Sequence, residues 1–238
     1  MYVIDRLKDR LHRDIARDPR THGWVLNLYL NGERYPQTVC DYFQSEYAPT
    51  THLAEQIRLH EKDEHKHELL FAKAIHSLGE EVVELPRLDI FNVVIRCFTP
   101  GTFHIVPADP PDLRREKLAN FMAHCHFLEK RVARSLVYEA DASEDSPSPM
   151  CGKAVQAVLR DEGRHVNYTI EAVHDLLPRR QRQEVLDAHR RAEAKANVRF
   201  SHQQMRHFLA RHARLVPRHR RLLYRVCGAF MEGADRML

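Results

Sequence analysis

Two five-residue runs stand out chemically: D-E-H-K-H from Asp63 to His67, and D-E-G-R-H from Asp161 to His165. Each sets a glutamate three residues before a histidine, Glu64 with His67 and Glu162 with His165. On a helix, residues three apart share one face, so a carboxylate and an imidazole can take the same metal ion. A bare Glu-x-x-His is weak evidence, since 18 Glu and 17 His in 238 positions give about one match by chance. Glu171 and His174 form a third match, nine residues beyond Glu162, which turns it to the opposite side of the same helix.

Placement relative to apolar residues separates the first two matches from chance. Leu53, Ile57, His60, Glu64, His67, Phe71 and Leu78 fall on one helical stripe, and so do Val155, Val158, Glu162, His165, Thr169 and Leu176. Charged groups facing a core are costly unless paired or bound to metal, and solvated faces would have kept them away from the leucines. Glu129 lies in register with Leu118, Met122, Cys125, Val132 and Leu136. A hairpin about Ser146 sets Glu129, 17 residues before it, level with Glu162, 16 residues after. A hairpin about Pro49 sets Glu33, 16 residues before it, level with Glu64, 15 residues after. Four carboxylates and two imidazoles are therefore expected to converge in the middle of a bundle.

The elements that must position them are helices, because glycine is scarce (8 residues) and helical periodicity dominates. The pattern predicts a short helix from Tyr2 to Ala16, helix A from His22 to Tyr47 and helix B from Thr50 to Leu78. An irregular crossover from Gly79 to Pro111 holds a short apolar helix near Leu88 to Phe98. Helix C follows from Leu113 to Ala140 and helix D from Met150 to Leu177, with two more helices over Arg179–His212 and Arg218–Met237. Pro49, Gly79, Pro110-Pro111, the S-E-D-S-P-S-P turn, Pro178 and Pro217 mark the breaks. One domain over 1–238 is expected, with a core bundle at about 19–178 and a C-terminal helical extension at about 179–238.

The spacings E-x29-D-E-x2-H (Glu33 to His67) and E-x31-D-E-x2-H (Glu129 to His165) resemble the ferritin-like di-iron carboxylate superfamily. They are most similar to its p-aminobenzoate N-oxygenase group. D-E-x-R-H is also similar to acyl-carrier desaturases and bacterial multicomponent monooxygenases. The resemblance covers helices A to D and implies an all-α, ferritin-like four-helix bundle with a long B–C crossover. It also implies that Glu33 and Glu129 are terminal ligands, that Glu64 and Glu162 bridge two metals, and that His67 and His165 complete one each. Asp63 and Asp161 would hydrogen-bond the ligand histidines and fix their tautomers. The cofactor implied is two Fe ions, with Mn or a mixed Fe/Mn pair as the alternative. The activity implied is dioxygen-dependent hydroxylation, N-oxygenation or desaturation of a small or carrier-bound substrate.

Two departures bear on the ligand set. The N-oxygenases have a further histidine four residues before the second motif's glutamate; here Val158 stands there, while His60 holds the matching place before Glu64. His60 is thus either a third histidine ligand supplied by the other half or an imidazole packed on the inner face. Pro36 cannot donate to the carbonyl of Gly32, so helix A either bends there or ends and carries Glu33 away from the site. Tyr168, one turn past His165, either packs in the core, hydrogen-bonds a ligand or relays an electron.

The charged N-terminus and the lack of an apolar run long enough to cross a bilayer point to the cytoplasm, with no membrane partner. Cys40, Cys97, Cys125, Cys151 and Cys227 are scattered and form no Cys-x-x-Cys, which argues against a disulfide framework or a rubredoxin-type site. No flavin motif or Cys-rich electron-transfer site is present, so turnover would require a separate electron donor. Residues 179–225 carry 14 Lys or Arg against 3 Asp or Glu, a net +11, leaving −7 for the remainder of a chain whose total is +4. Either these arginines are simply solvated, or they attract an acidic carrier protein, a nucleic acid or a CoA-type phosphate. The competing functions are a metal-storage or ferroxidase protein, a di-iron tRNA hydroxylase and a non-enzymatic helical scaffold. A homodimer is compatible with this organisation.

Overall fold

The computed structural model describes residues 3–34 and 43–237, and all the regular structure among them is helical. Among the described residues there are eight α-helices: α1 Val3–Ala16, α2 Pro19–Arg34, α3 Thr51–Ser77, α4 Phe91–Arg96, α5 Pro111–Ala142, α6 Pro149–Leu176, α7 Arg179–Arg211 and α8 Arg218–Asp235. Their ends follow local chemistry. The Thr50 side chain accepts from the Leu53 N–H to open α3, and Ser148 accepts from Met150 N–H with Pro149 as the first residue of α6. Gly79, at φ +76°, takes the left-handed turn that releases the chain from α3.

The predicted helix A from His22 to Tyr47 is corrected. Among the described residues α2 starts earlier, at Pro19, and runs to Arg34; the chain re-enters at Phe43, whose φ of 54° is left-handed. That backbone cannot continue a right-handed helix, and a single 3-10 turn at Ser45–Tyr47 precedes α3. Tyr2, Pro36 and Cys40 lie outside the described residues.

Helix α2 packs on α3, α3 on α6, and α6 on α5, while α1 fills the seam between α2 and α5. Cross-links fix their directions. Arg34 meets Glu68 whereas Gly23 meets Glu80, so α2 and α3 are antiparallel. His60 meets Tyr168 whereas Ser77 meets Ser148, so α3 and α6 are antiparallel as well. Tyr29 to Ser135 and His22 to Glu139 set α2 antiparallel to α5. Consequently α3 and α5 run the same way, and the chain between them must travel back along the bundle.

That return is held by side chains in place of a sheet. Asn27 and Asn31, one turn apart on α2, donate to the carbonyls of Glu81 and Val83 and accept from the N–H groups of Val83 and Leu85. Gly23 completes the seat: a Cβ there would lie 2.8 Å from the Glu80 side chain. Two apolar layers lie on either side of the bundle's middle. Leu26, Leu30, Phe71, Leu136, Val155 and Val158 form one; Leu53, Ile57, Leu118, Met122, Ala172 and Leu176 belong to the other. Among the described residues, no helix is long and apolar enough to cross a membrane.

Candidate metal centre

Between those layers the four helices bring together Glu33 from α2, His60, Glu64 and His67 from α3, Glu129 from α5, and Glu162 and His165 from α6. Every one is buried, Glu33 being the most accessible at 9% exposure. Their ligand-type atoms fall into two groups, each with all atoms within 4.8 Å of one another: His60, Glu64, Glu129 and His165, and Glu33, His67 and Glu162. In the first, His60 Nε2 lies 3.1 Å from Glu64 Oε1 and 3.4 Å from Glu129 Oε1. In the second, His67 Nδ1 lies 3.4 Å from Glu33 Oε2. Glu162 connects them: Oε1 is 3.7 Å from His67 Nδ1, and Oε2 is 3.3 Å from His165 Nδ1. The His60 and His165 rings stack with centroids 3.7 Å apart.

Many of the atoms facing the middle have no hydrogen-bond partner. His60 Nε2, Glu64 Oε1, His67 Nδ1, both oxygens of Glu162 and His165 Nδ1 are buried without a hydrogen bond. Such orphans are uncommon in folded proteins, and this many pointing at one place require a shared partner. His22 Nε2 and Glu139 Oε1 also lack a well-angled hydrogen bond, but they face each other as an ion pair at 2.8 Å and answer one another. Imidazole nitrogens mixed with carboxylate oxygens suit divalent transition metals. The buried His/Glu groups can hold a metal ion, and the donor set fits one.

The electrostatics agree. Burial, reinforced by Glu33, Glu129 and Glu162, holds the Glu64 carboxyl well above the usual carboxylate range. Burial with Glu129 and Glu33 does the same to Glu162. Glu129 is buried too, yet the adjoining His60 and His165 outweigh that and hold it below its ordinary value. Burial, with His60 alongside, pushes His165 down to about 4, so it is a neutral imidazole with a free lone pair. A cluster of acidic groups too crowded to ionise together is what a cation relieves.

An outer ring crosses between the motifs. Asp161 Oδ2 is hydrogen-bonded to His67 Nε2 at 3.2 Å, and Asp63 Oδ2 lies 3.5 Å from His165 Nε2 without a well-formed hydrogen bond, so each motif's aspartate faces the other motif's histidine. Lys66 reaches Asp63 at 2.8 Å and Asp161 at 2.5 Å, while Arg164 pairs with Asp63 and lies 3.6 Å from Asp161. Burial would raise the Asp63 carboxyl, but His165, Lys66 and Arg164 hold it well below the ordinary range. The two cations occupy the same fourth position of the D-E-x-K/R-H runs, so the repeated basic residue is a sequence signal for this outer ring. On the opposite side, the Tyr168 hydroxyl is 2.7 Å from His60 Nδ1, so the tyrosine is both core and hydrogen-bond partner. Val158 packs in an apolar layer, and Glu171 and His174 are exposed.

A cleft of about 510 Å³ runs from the surface to Glu33 and Glu64, lined also by Phe43 and, further out, by Arg58 and Lys62. Comparison with known proteins gives no match, whether to family models, curated proteins or solved structures.

Proposed function

We propose that this chain is a dinuclear metalloprotein of ferritin-like type that uses dioxygen to oxidise an organic substrate, with iron as its metal. The observation that carries this is the convergence of imidazole nitrogens and carboxylate oxygens from four helices in two groups spanned by Glu162, with atoms of His60, Glu64, His67, Glu162 and His165 buried without a hydrogen bond. His60, Glu64, Glu129 and His165 would hold one ion, and Glu33, His67 and Glu162 the other. Redox-active metals bound there would supply the electrons that dioxygen reduction requires.

The chain's own residues do the remaining work. Asp161 and Asp63 orient His67 and His165 so that their Nδ1 atoms face inward, and Tyr168 holds His60 with Nε2 inward. Neutral His165 keeps its lone pair available at ordinary pH. The two apolar layers exclude bulk water from either end of the cluster, which strengthens every polar interaction inside. The cleft beside Glu33 and Glu64 gives a small or carrier-tethered substrate its approach. Reducing equivalents would come from a separate donor.

The test is oxygen uptake. Anaerobic protein given ferrous iron at about two per chain, the complement of such a bundle, and then exposed to air should consume dioxygen faster than free ferrous iron. It should also develop an optical band that His165→Ala lacks. Uptake equal to free iron in the wild type refutes the reading. Catalytic oxidation of a large excess of ferrous iron, with deposition of a mineral core, would assign the protein to the storage class instead.

A further inference from the structure

Helix α8 carries an apolar stripe that stands exposed among the described residues. Its inner side is anchored: the Tyr224 hydroxyl donates to Asp14 of α1 at 2.7 Å, and Gly228 sits so close to Met205 of α7 that a Cβ would lie 3.3 Å from it. The outer side presents Leu222, Val226, Phe230 and Met237, exposed to 65%, 61%, 80% and 84%. The first three are four residues apart, so they lie along one line of the helix, about 12 Å long at 1.5 Å per residue, and Met237 follows in the turn just past the helix end. Arg218, Arg221 and Arg225 flank that line on one edge, within the part of the chain whose net charge is +11 against −7 elsewhere. Glu232, on the same edge, is already paired with Arg236, and Asp235 with Arg199.

We propose that α8 docks the protein on an anionic lipid bilayer. The helix lies in the plane of the surface, with Leu222, Val226, Phe230 and Met237 among the upper acyl chains and the three arginines against acidic headgroups. Apolar burial combined with cationic contact is how an interfacial helix is held. The charge separation between the basic segment and the acidic remainder would orient the molecule with α8 facing the surface. A second copy fits less well. Parallel pairing sets two arginine-rich first turns together, and antiparallel pairing about Val226 brings Arg225 against its own mate. A nucleic acid would use the arginines and leave the stripe in water. The earlier expectation of no membrane partner rested on the lack of a spanning segment, which a helix lying on the surface does not need.

The test is vesicle flotation with the full chain, using phosphatidylcholine alone and phosphatidylcholine with about one part in four phosphatidylserine. Wild type should float with the acidic vesicles and at least about tenfold less with the neutral ones. Phe230→Glu should reduce flotation by at least about tenfold, because the side chain enters the acyl region. Arg218→Gln with Arg225→Gln should weaken binding and flatten its dependence on salt. Both variants alter exposed side chains and should keep wild-type helicity and metal content, so the outcome is independent of the metal reading. Failure of the wild type to float overturns the proposal, as does binding that needs the arginines but ignores Phe230→Glu. A wild-type dimer that Phe230→Glu splits, with no flotation by either, overturns it in favour of self-association.

Discussion

A buried His/Glu cluster that holds cations should be unstable without them, and Glu162→Gln tests whether this one does. Glu162 is fully buried, with both oxygens unsatisfied and a Glu33 oxygen no more than 4.8 Å away. Two unit charges at that separation repel by about 3.5 kcal/mol at an effective dielectric of about 20. His67, 3.4 Å from Glu33 and 3.7 Å from Glu162, offsets part of this. A carboxyl held well above its ordinary range must either bear this repulsion or take up a proton; the nearly isosteric glutamine avoids both and keeps the volume, so the metal-free variant should gain about 1–3 kcal/mol, or about 2–12 °C in Tm for a chain of this length. Wild type loaded with two ions, each at about a hundred times its Kd, should gain about 5 kcal/mol, and the variant less than half of that. Calorimetry of both proteins, metal-free and with ferrous iron under anaerobic conditions, gives all four values. A metal-free variant less stable than wild type, together with an undiminished metal-induced rise, would refute the reasoning.

Three further perturbations test other parts of the structure. Tyr168→Phe removes the hydroxyl 2.7 Å from His60 Nδ1 and should weaken metal binding in one half of the site by about tenfold to a hundredfold, read by anaerobic titration; an unchanged isotherm contradicts the role given to Tyr168. Asn31→Leu strands the Val83 carbonyl and the Leu85 N–H, and should cost about 2–4 kcal/mol in urea unfolding; a loss under about 1 kcal/mol would show that the asparagine ladder does not hold the returning chain. His22 and Glu139 should give a pH-dependent contribution. Burial opposes the charge on His22, but Cys151 and Glu139 raise it to about 9; burial opposes the charge on Glu139, but His12 and His22 lower it to about 2. The raised histidine contributes fully below its ordinary value and fades as pH climbs towards about 9, and the lowered carboxylate contributes fully above its ordinary value and fades towards about 2. The stability gap between wild type and His22→Leu should therefore peak between the ordinary carboxylate and imidazole values and shrink towards pH 9; a gap that widened there would reverse the sign.

The inner faces of α3 and α6 were legible because polar ligand types interrupt an otherwise apolar stripe, and a helix leaves one direction for each residue. The Glu129 to Glu162 register was legible too, since the short turn at Ser143–Ser148 allows only one pairing. Glu33 was not placed by its stated logic. The count about Pro49 assumed a helix continuing to Tyr47, whereas Phe43 has a left-handed backbone. Helix α2 is instead held by Asn27 and Asn31 bonding a segment more than 50 residues away, and contacts of that separation leave no periodic trace. The exchange of aspartates was likewise hidden. Asp63 and Asp161 precede the ligand glutamates by one residue, about 100° around the helix, so they face the neighbouring helix and not their own histidine. Tyr168 shows a different limit, because a core aromatic and a hydrogen-bond partner of a ligand have the same signature until His60 is seen beside it. The four-helix arrangement matters to the chemistry through one consequence: it is the simplest way to aim seven side chains from four directions at one buried place between two apolar layers.

The central claim is that these side chains enclose two cations, and the most direct measurement is an anaerobic ferrous-iron titration with elemental analysis of the wild type and Glu162→Ala. The account predicts about two ions per wild-type chain, one for each donor group, and a sharp fall in the variant. A wild type that retains no metal, or a variant that binds as much as the wild type, would contradict it.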